Sequence, residues 1–317
     1  MRRIGILTRD CAGINAAIRA VVRSAATYKI ETLGIARGYQ GLIENDIRLL
    51  TPRSVSGIIN SGGTILKTAR SKEFTTLKGQ QSAVQTLNNN KIDGLIVIGG
   101  NGSLTAAHIL ASKYSIPTIG IPATIDNDIN EVGMAIGADT ATNVALDALD
   151  KIRDTATSLE RIFVVEVMGR DCGYIALRVA LAGGCEEVII PERKFSIKKI
   201  SEEIVEGNIR GKISWIIIVA EGQAKAIDVA KEITHITGLE TREVVLGHIQ
   251  RGGRPTAFDR IIAARYANHA VKMLKMGKTD KCVTLKNEKL SVIPLAKAIK
   301  YKDIEVDKYY RLIKILT

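Results

Sequence analysis

The chain has 317 residues, 46% of them hydrophobic and 25% charged, a globular composition that excludes disorder and a collagen-like fibre. No apolar run approaches the roughly 20 residues that cross a bilayer, so no membrane association is expected. Its 45 Lys and Arg exceed its 33 Asp and Glu to give +12, yet only 4% of residues are aromatic, too few stacking platforms for a nucleic-acid binder.

The first element in the chain, a buried strand at Ile4–Leu7, begins too early to leave room for a signal peptide's apolar region. A cytoplasmic location is the expectation. Ile14, Ala17, Ile18, Val21, Val22 and Ala25 then mark one face of an amphipathic helix, with Arg19 and Arg23 elsewhere on its surface. Further runs at Leu95–Ile98, Thr118–Ile121, Ile162–Val167 and Trp215–Ala220 lack polar alternation, which is the pattern of strands buried on both faces. Strands alternating with helices predict an α/β fold with mainly parallel sheets and helices on both faces. The length suits about two domains, and the strand–loop–helix pattern restarts near Gly137, with a helix beginning around Asp139. Cys11, Cys172, Cys185 and Cys282 lie far apart with no CxxC pair, so reduced buried thiols are expected rather than a zinc site or a disulfide framework. In the last fifty residues, lysines interleaved with Val, Leu, Ile and Met read as a solvated helix face.

Doubly wound sheets bind ligands beyond the carboxyl ends of their strands, so the residues after each strand carry most of the chemistry. Leu95–Ile98 is followed by Gly99-Gly100-Asn101-Gly102-Ser103 and a helix expected from Leu104. Bare backbone N–H groups before a helix suit a phosphate; a plain strand-to-helix turn is the alternative. Thr118–Ile121 runs into Pro122-Ala123-Thr124-Ile125-Asp126-Asn127-Asp128. The two carboxylates could divide the work, one serving as a general base and the other helping to hold Mg²⁺. An Asx-rich turn is the competing explanation. Met168-Gly169-Arg170 puts a cation at the end of Ile162–Val167, and Glu221 ends Trp215–Ala220. Arg242, His248 and Arg251 surround glycines further on, and clustered guanidiniums suit a phosphate monoester. Together these features fit phosphoryl transfer from a nucleotide to the hydroxyl of a phosphorylated small molecule.

The segments GGNGS, PATIDND and VVEVMGR, the lone Glu221 and the run from Arg242 through GHIQRGG to Asp259-Arg260 together resemble the bacterial-type ATP-dependent 6-phosphofructokinase (phosphofructokinase A) family. The resemblance spans essentially the whole chain. It implies two doubly wound Rossmann-like domains, the nucleotide-binding one at 1–137 plus about 252–300 and the sugar-phosphate-binding one at 138–251 plus about 301–317. It also implies a glycolytic homotetramer that uses MgATP to convert fructose 6-phosphate to fructose 1,6-bisphosphate.

By the same resemblance, Asp126 is the base, while Thr124 and Arg170 stabilise the transferring phosphoryl. Arg70, Asn101, Gly102 and Ser103 hold ATP, and Asn101 and Asp128 serve Mg²⁺. Met168, Gly169, Glu221, His248 and Arg251 bind the sugar phosphate, with Arg161 and Arg242 reaching it from a neighbouring subunit. Arg19, Arg23, Arg153, Glu186, Arg210 and Lys212 form an effector site for ADP or phosphoenolpyruvate. Pyrophosphate-using relatives carry Asp in place of Gly102 and Lys in place of Ala123, so ATP is the expected donor.

Four departures stand out. The loop Thr8-Arg9-Asp10-Cys11-Ala12-Gly13 is two residues shorter than the family's and lacks its adjacent glycines. Asn101 stands where the family has Asp, and Ala123 where ATP users have Gly. Pro52, Gly57 and Ser61 replace charged residues of the effector region, which puts allosteric control in question. The departures keep open an alternative: an impaired paralogue that binds sugar phosphate and regulates an active subunit.

Overall fold

The computed structural model describes residues 1–317, which divide into two compact units. Unit 1 is Met1–Thr140 with Arg251–Lys302, and unit 2 is Ala141–Gln250 with Asp303–Thr317.

Unit 1 opens with β1 (Arg3–Thr8), α1 (Ile14–Thr27), β2 (Glu31–Ile35), α2 (Tyr39–Ile43) and β3 (Ile47–Leu50). It continues through α3 (Leu77–Asn89), β4 (Gly94–Gly99), α4 (Asn101–Tyr114), β5 (Thr118–Pro122) and the start of α5 (Ala138–Leu159). Unit 2 holds β6 (Ile162–Val167), α6 (Tyr174–Ala182), β7 (Glu187–Ile189), α7 (Ile197–Ile209), β8 (Trp215–Ala220), α8 (Ala226–Thr237) and β9 (Thr241–Val245). The chain then returns to unit 1 for α9 (Ala257–Lys275), β10 (Lys281–Lys286), β11 (Lys289–Pro294) and α10 (Leu295–Ala298), and ends with α11 (Val306–Leu316) in unit 2.

The sheet of unit 1 runs β11-β10-β5-β4-β1-β2-β3 and that of unit 2 runs β7-β8-β6-β9. Every pairing is parallel except β2 with β3 and β10 with β11. All six residues of β4, β6 and β8 are buried, as strands covered on both faces require. In unit 1, Leu7, Leu33, Ile35, Leu95 and Val97 join one core with Leu87 of α3 and Leu104 of α4. The alternate residues Ile4, Ile6, Ile96 and Ile98 are equally buried, so the other face is also packed.

The structure corrects several sequence expectations. The basic C-terminal stretch is not one helix face: Lys281, Lys286 and Lys289 lie on the β10–β11 hairpin, whose turn residues Asn287 and Glu288 both have positive φ, as a two-residue turn matched to strand twist demands. The helix after GGNGS starts at Asn101, not near Leu104. The four cysteines, by contrast, are free and buried, as the sequence leads one to expect.

Lys314 on α11 pairs with Glu187 and Glu203, each at 2.7 Å. Burial works against its charge, but hydrogen bonds to both carboxylates outweigh that and hold the ammonium above its ordinary value. A raised folded-state value means that this contribution is complete below the unfolded value and is lost as pH climbs through the folded one. Lys314→Met should therefore cost roughly 1–3 kcal/mol at neutral pH, because buried Glu187 loses its cation. In urea unfolding the deficit should persist across neutral pH and narrow only above about pH 10.5.

Candidate functional site

In unit 1, β5, β4 and β1 are parallel neighbours whose carboxyl ends are level: Thr8 registers with Ile98, and Gly99 with Pro122. The Arg9 N–H continues the ladder to the Ile98 carbonyl, and the Ala123 N–H continues it to that of Gly99, both at 3.0 Å. Arg9, Gly100 and Ala123 therefore start three loops side by side on one edge of the sheet. α4 begins there with Gly100 at its N-cap, with no side-chain cap and no acidic residue in its first turn. A Cβ placed on Gly102 would meet nothing within 4 Å, so the first turn faces open space, where helix N–H groups attract an anion. Ser103 is buried, its carbonyl accepting from the Tyr39 hydroxyl at 2.8 Å. Arg70 is exposed, next to Ala69, whose carbonyl accepts from Arg9 Nη1 at 2.8 Å.

The loop after β5 carries the carboxylates. It leaves at Pro122 and returns at Ile136, closed by the Ile136 N–H on the Pro122 carbonyl and the Thr124 N–H on the Ile136 carbonyl, both at 3.0 Å. The loop is not extended at its acidic residues, because Asn127 is left-handed at φ 50°, a conformation Asn tolerates better than most residues. In an extended strand residues two apart share a face, so it is this turn that sets the two aspartates apart. Asp126 is buried beside Thr124, whose Oγ1 accepts from the Asp126 N–H at 3.2 Å and lies 3.4 Å from the carboxylate. Asp128 instead turns to α4, where Asn101 Nδ2 donates to its Oδ2 at 2.8 Å.

With that amide donating, Asn101 Oδ1 and Asp128 Oδ1 are both buried without a hydrogen-bond partner. Two orphaned oxygens, one carrying charge, make a donor set suited to a hard cation that takes its remaining ligands from phosphate and water. No cluster of three His, Cys, Asp or Glu side chains could hold a metal ion, so a dedicated protein cage is not what this site offers.

Two residues that fix the loop carry no sequence signal. Asn127 accepts from the Ala135 N–H at 2.8 Å and donates to the Gly133 carbonyl at 3.3 Å. Lys302, from the far end of unit 1, donates to the carbonyls of Asn127 and Val132, both at 2.8 Å. Cys11 is close by, but burial, together with Asp259 and Asp10, pushes its thiol well up, which makes it inert rather than nucleophilic.

In unit 2 the central strand β6 lies between β8 and β9, so their carboxyl ends also share an edge. Met168, Gly169 and Arg170 turn off this edge through two residues of positive φ, 146° and 52°. The turn is tied to its neighbours: the Arg170 N–H donates to Glu221 Oε1 at 3.2 Å, and the Met168 N–H to Gln250 Oε1 at 3.3 Å. Gln250 is fully buried in the 3₁₀ turn Gly247–Arg251, which also carries His248. Met168, Gly169, Arg170, Glu221 and His248 are thus brought to one place. Arg251 ends the same turn as the first residue of the return to unit 1. Gln250 was visible in the motif, but its orienting role was not. Gly222 was missed altogether: its Cβ position is 1.7 Å from the Arg170 carbonyl oxygen, so only glycine fits.

Arg161 and Arg242 do not join that group. They share Glu240, at 2.8 Å for Arg161, near the amino ends of β6 and β9. Six strand residues separate Arg161 from Met168, about 20 Å. Among the residues matched to an effector site, Glu186 pairs with Lys212 at 3.0 Å and accepts from the Ile216 N–H at 2.7 Å. Arg153 caps the Gly183 and Gly184 carbonyls, and Arg210 pairs with Glu206. Arg19 and Arg23 are on α1 in unit 1, with Arg23 donating to the Pro52 carbonyl at 3.4 Å.

A family model described as "Phosphofructokinase" matches residues 3–274. The chain is 49% identical to the ATP-dependent 6-phosphofructokinase of Clostridium tetani and 46% identical to that of Thermotoga neapolitana. Each alignment runs over 319 residues and covers all of both chains, which leaves at least two positions without a residue in this one. The phosphofructokinase of Pichia pastoris in the T-state superimposes with a TM-score of 0.90 at 32% identity, over 94% of this chain. The chain spans 37% of that protein's length. The pyrophosphate-dependent phosphofructokinase of Marinobacter aquaeolei shares the fold, with a TM-score of 0.84 at 21% identity.

Proposed function

The chain belongs to the phosphofructokinase family, and from that premise we propose how its residues carry out ATP-dependent phosphorylation of fructose 6-phosphate to fructose 1,6-bisphosphate. The full-length identity to ATP-dependent enzymes carries the activity. Asp126, buried at the strand edge and steered by Thr124, takes the proton from the sugar's 1-hydroxyl as that oxygen attacks the γ-phosphorus of ATP. The bond from that phosphorus to the bridging oxygen breaks, and ADP leaves. Thr124 and Arg170 face the charge on the transferring phosphoryl, the main quantity to be stabilised in such reactions.

The uncapped start of α4, from Asn101 to Ser103, and Arg70 hold the phosphates of ATP. The empty space over Gly102 leaves room for a nucleotide phosphate, supporting ATP over pyrophosphate. Met168, Gly169, Glu221, His248 and Arg251 bind fructose 6-phosphate, oriented by Gln250 and Glu221. Asn101 and Asp128 would hold Mg²⁺, which when bound neutralises charge on the β- and γ-phosphates. Nothing observed favours a regulatory subunit without turnover.

The proposal extends to a cytoplasmic homotetramer in which Arg161 and Arg242 serve a neighbour's sugar-phosphate site, since they stand at the wrong end of β6 to serve their own. Effector control by ADP or phosphoenolpyruvate would act at Arg19, Arg23, Arg153, Glu186, Arg210 and Lys212.

Donor specificity tests the reading. Steady-state assays with ATP, GTP, ADP and pyrophosphate should show ATP with the highest kcat/KM; preference for pyrophosphate, or no turnover with any donor, would defeat it. Asn101→Asp adds a second carboxylate beside Asp128. It should lower the Tm in the absence of divalent ions, and addition of Mg²⁺ should raise that Tm more than the wild type's, because the added charge favours the cation. An Asn101→Asp Tm that does not respond to Mg²⁺ would remove these oxygens as the metal ligands.

A further inference from the structure

We propose that Glu166 is a positioning residue for the sugar phosphate, its buried carboxylate pinning the loop that carries Glu221. The inference rests on the reading that fructose 6-phosphate binds at the strand edge of unit 2. Ile162, Val164 and Glu166 alternate along β6 and so share one face of it. The first two pack with Val219 of β8 and with Ala226, Val229 and Ile233 of α8 in one core. The next place in that apolar row holds a carboxylate only 6% exposed. Such a group is costly unless its oxygens are bonded, and both are. Oε2 accepts from the Ala226 N–H at 2.9 Å, and Oε1 accepts from Lys225 Nζ at 3.3 Å.

Ala226 is the first residue of α8, and the N-cap, Lys225, makes no side-chain capping bond. Lysine is poorly suited to that position, being a cation at the positive end of the helix dipole. The helix is capped from β6 instead. Glu166 registers with Val219, one residue before the end of β8, so its bond to Ala226 reaches across the whole turn from Glu221 to Lys225. The near end of that turn is tied to the same strand. The Glu221 N–H donates to the Val167 carbonyl at 2.9 Å, Glu221 Oε1 accepts from the Arg170 N–H, and Gly222 packs on the Arg170 carbonyl. The loop bearing Glu221 and the turn bearing Met168, Gly169 and Arg170 are thereby riveted to one another at two points.

The two bonds of Glu166 are unequal. The Lys225 side chain is 60% exposed, where an ion pair contributes little. Ala226 is fully buried, so leaving its N–H without a partner is expensive. The bond to Ala226 is the pin.

Glu166→Met keeps the bulk of the side chain and removes both oxygens, whereas Glu166→Gln keeps an acceptor for the Ala226 N–H. Steady-state kinetics and calorimetric titration with fructose 6-phosphate should show its KM and Kd rising roughly ten- to a hundredfold in Glu166→Met, the effect of binding groups held slightly out of place. The kcat and the KM for ATP should stay within about twofold of wild type, as for a loss of uniform binding. Glu166→Gln should recover most of the affinity, and Lys225→Ala should stay within about twofold of wild type. A Glu166→Met protein with a lowered Tm and an unchanged KM for fructose 6-phosphate would reduce Glu166 to a structural cap and overturn the assignment. So would a Glu166→Gln protein no better than Glu166→Met. If Glu166→Met fails to fold, Glu166→Asp decides, because its shorter side chain withdraws the carboxylate from Ala226: a raised KM supports the role and an unchanged one overturns it. A wild-type protein that neither binds nor phosphorylates fructose 6-phosphate would instead sink the sugar-phosphate reading itself, and the role of Glu166 with it.

Discussion

Replacing Asp126 with Asn is expected to lower kcat about 10²- to 10⁴-fold while leaving the KM values for ATP and fructose 6-phosphate close to wild type, the range typical for loss of a general base. The substitution keeps the size and one oxygen of the side chain but removes its ability to take a proton. A loss confined to kcat is the signature of an interaction made in the transition state. The position of Asp126 makes the variant informative. It is buried in a loop closed at Pro122 and Ile136 and held by Asn127 and Lys302, so folding should survive. A raised KM with unchanged kcat would mean that Asp126 merely binds substrate. Near-wild-type kcat would end its role as base.

Removing Arg242 and Arg161 together should raise the KM for fructose 6-phosphate at least about a hundredfold, since each charge-assisted contact to phosphate is worth roughly 1.5–3 kcal/mol. The more discriminating result comes from mixing. Both arginines lie near the amino end of the unit 2 sheet, about 20 Å from Met168, so one chain cannot bring both ends of β6 to one sugar phosphate. If a neighbouring subunit supplies them, co-assembling Asp126→Asn chains with Arg161→Ala/Arg242→Ala chains creates some complete sites. Activity should then exceed that of either parent by more than tenfold, limited by the fraction of mixed interfaces. Mixed assemblies no more active than the parents would confine the sugar-phosphate site to a single chain.

Much of the fold was legible because buried parallel strands leave an unmistakable trace: Leu95–Ile98, Ile162–Val167 and Trp215–Ala220 have no polar alternation, and each is a strand of the structure. The start of α4 was read three residues late because its N-cap is Gly100, which has no capping side chain to announce a helix. The β10–β11 hairpin was missed because its turn, Asn287-Glu288, lacks the glycine that usually marks a two-residue connection. In the site, the chemistry-bearing residues of the acidic loop stood out, but their orientation did not. That depends on a left-handed Asn127 and on a lysine 175 positions away. Gly222 was invisible for a related reason, since its requirement comes from the approach of a carbonyl 52 residues earlier.

The most direct test of the account follows labelled phosphorus from [γ-³²P]ATP with the purified protein, Mg²⁺ and fructose 6-phosphate. Label should appear on carbon 1 of fructose 1,6-bisphosphate with the wild type and fall to near background with Asp126→Asn. Wild-type protein that transfers no label, or an Asp126→Asn protein that transfers it at an undiminished rate, would contradict it.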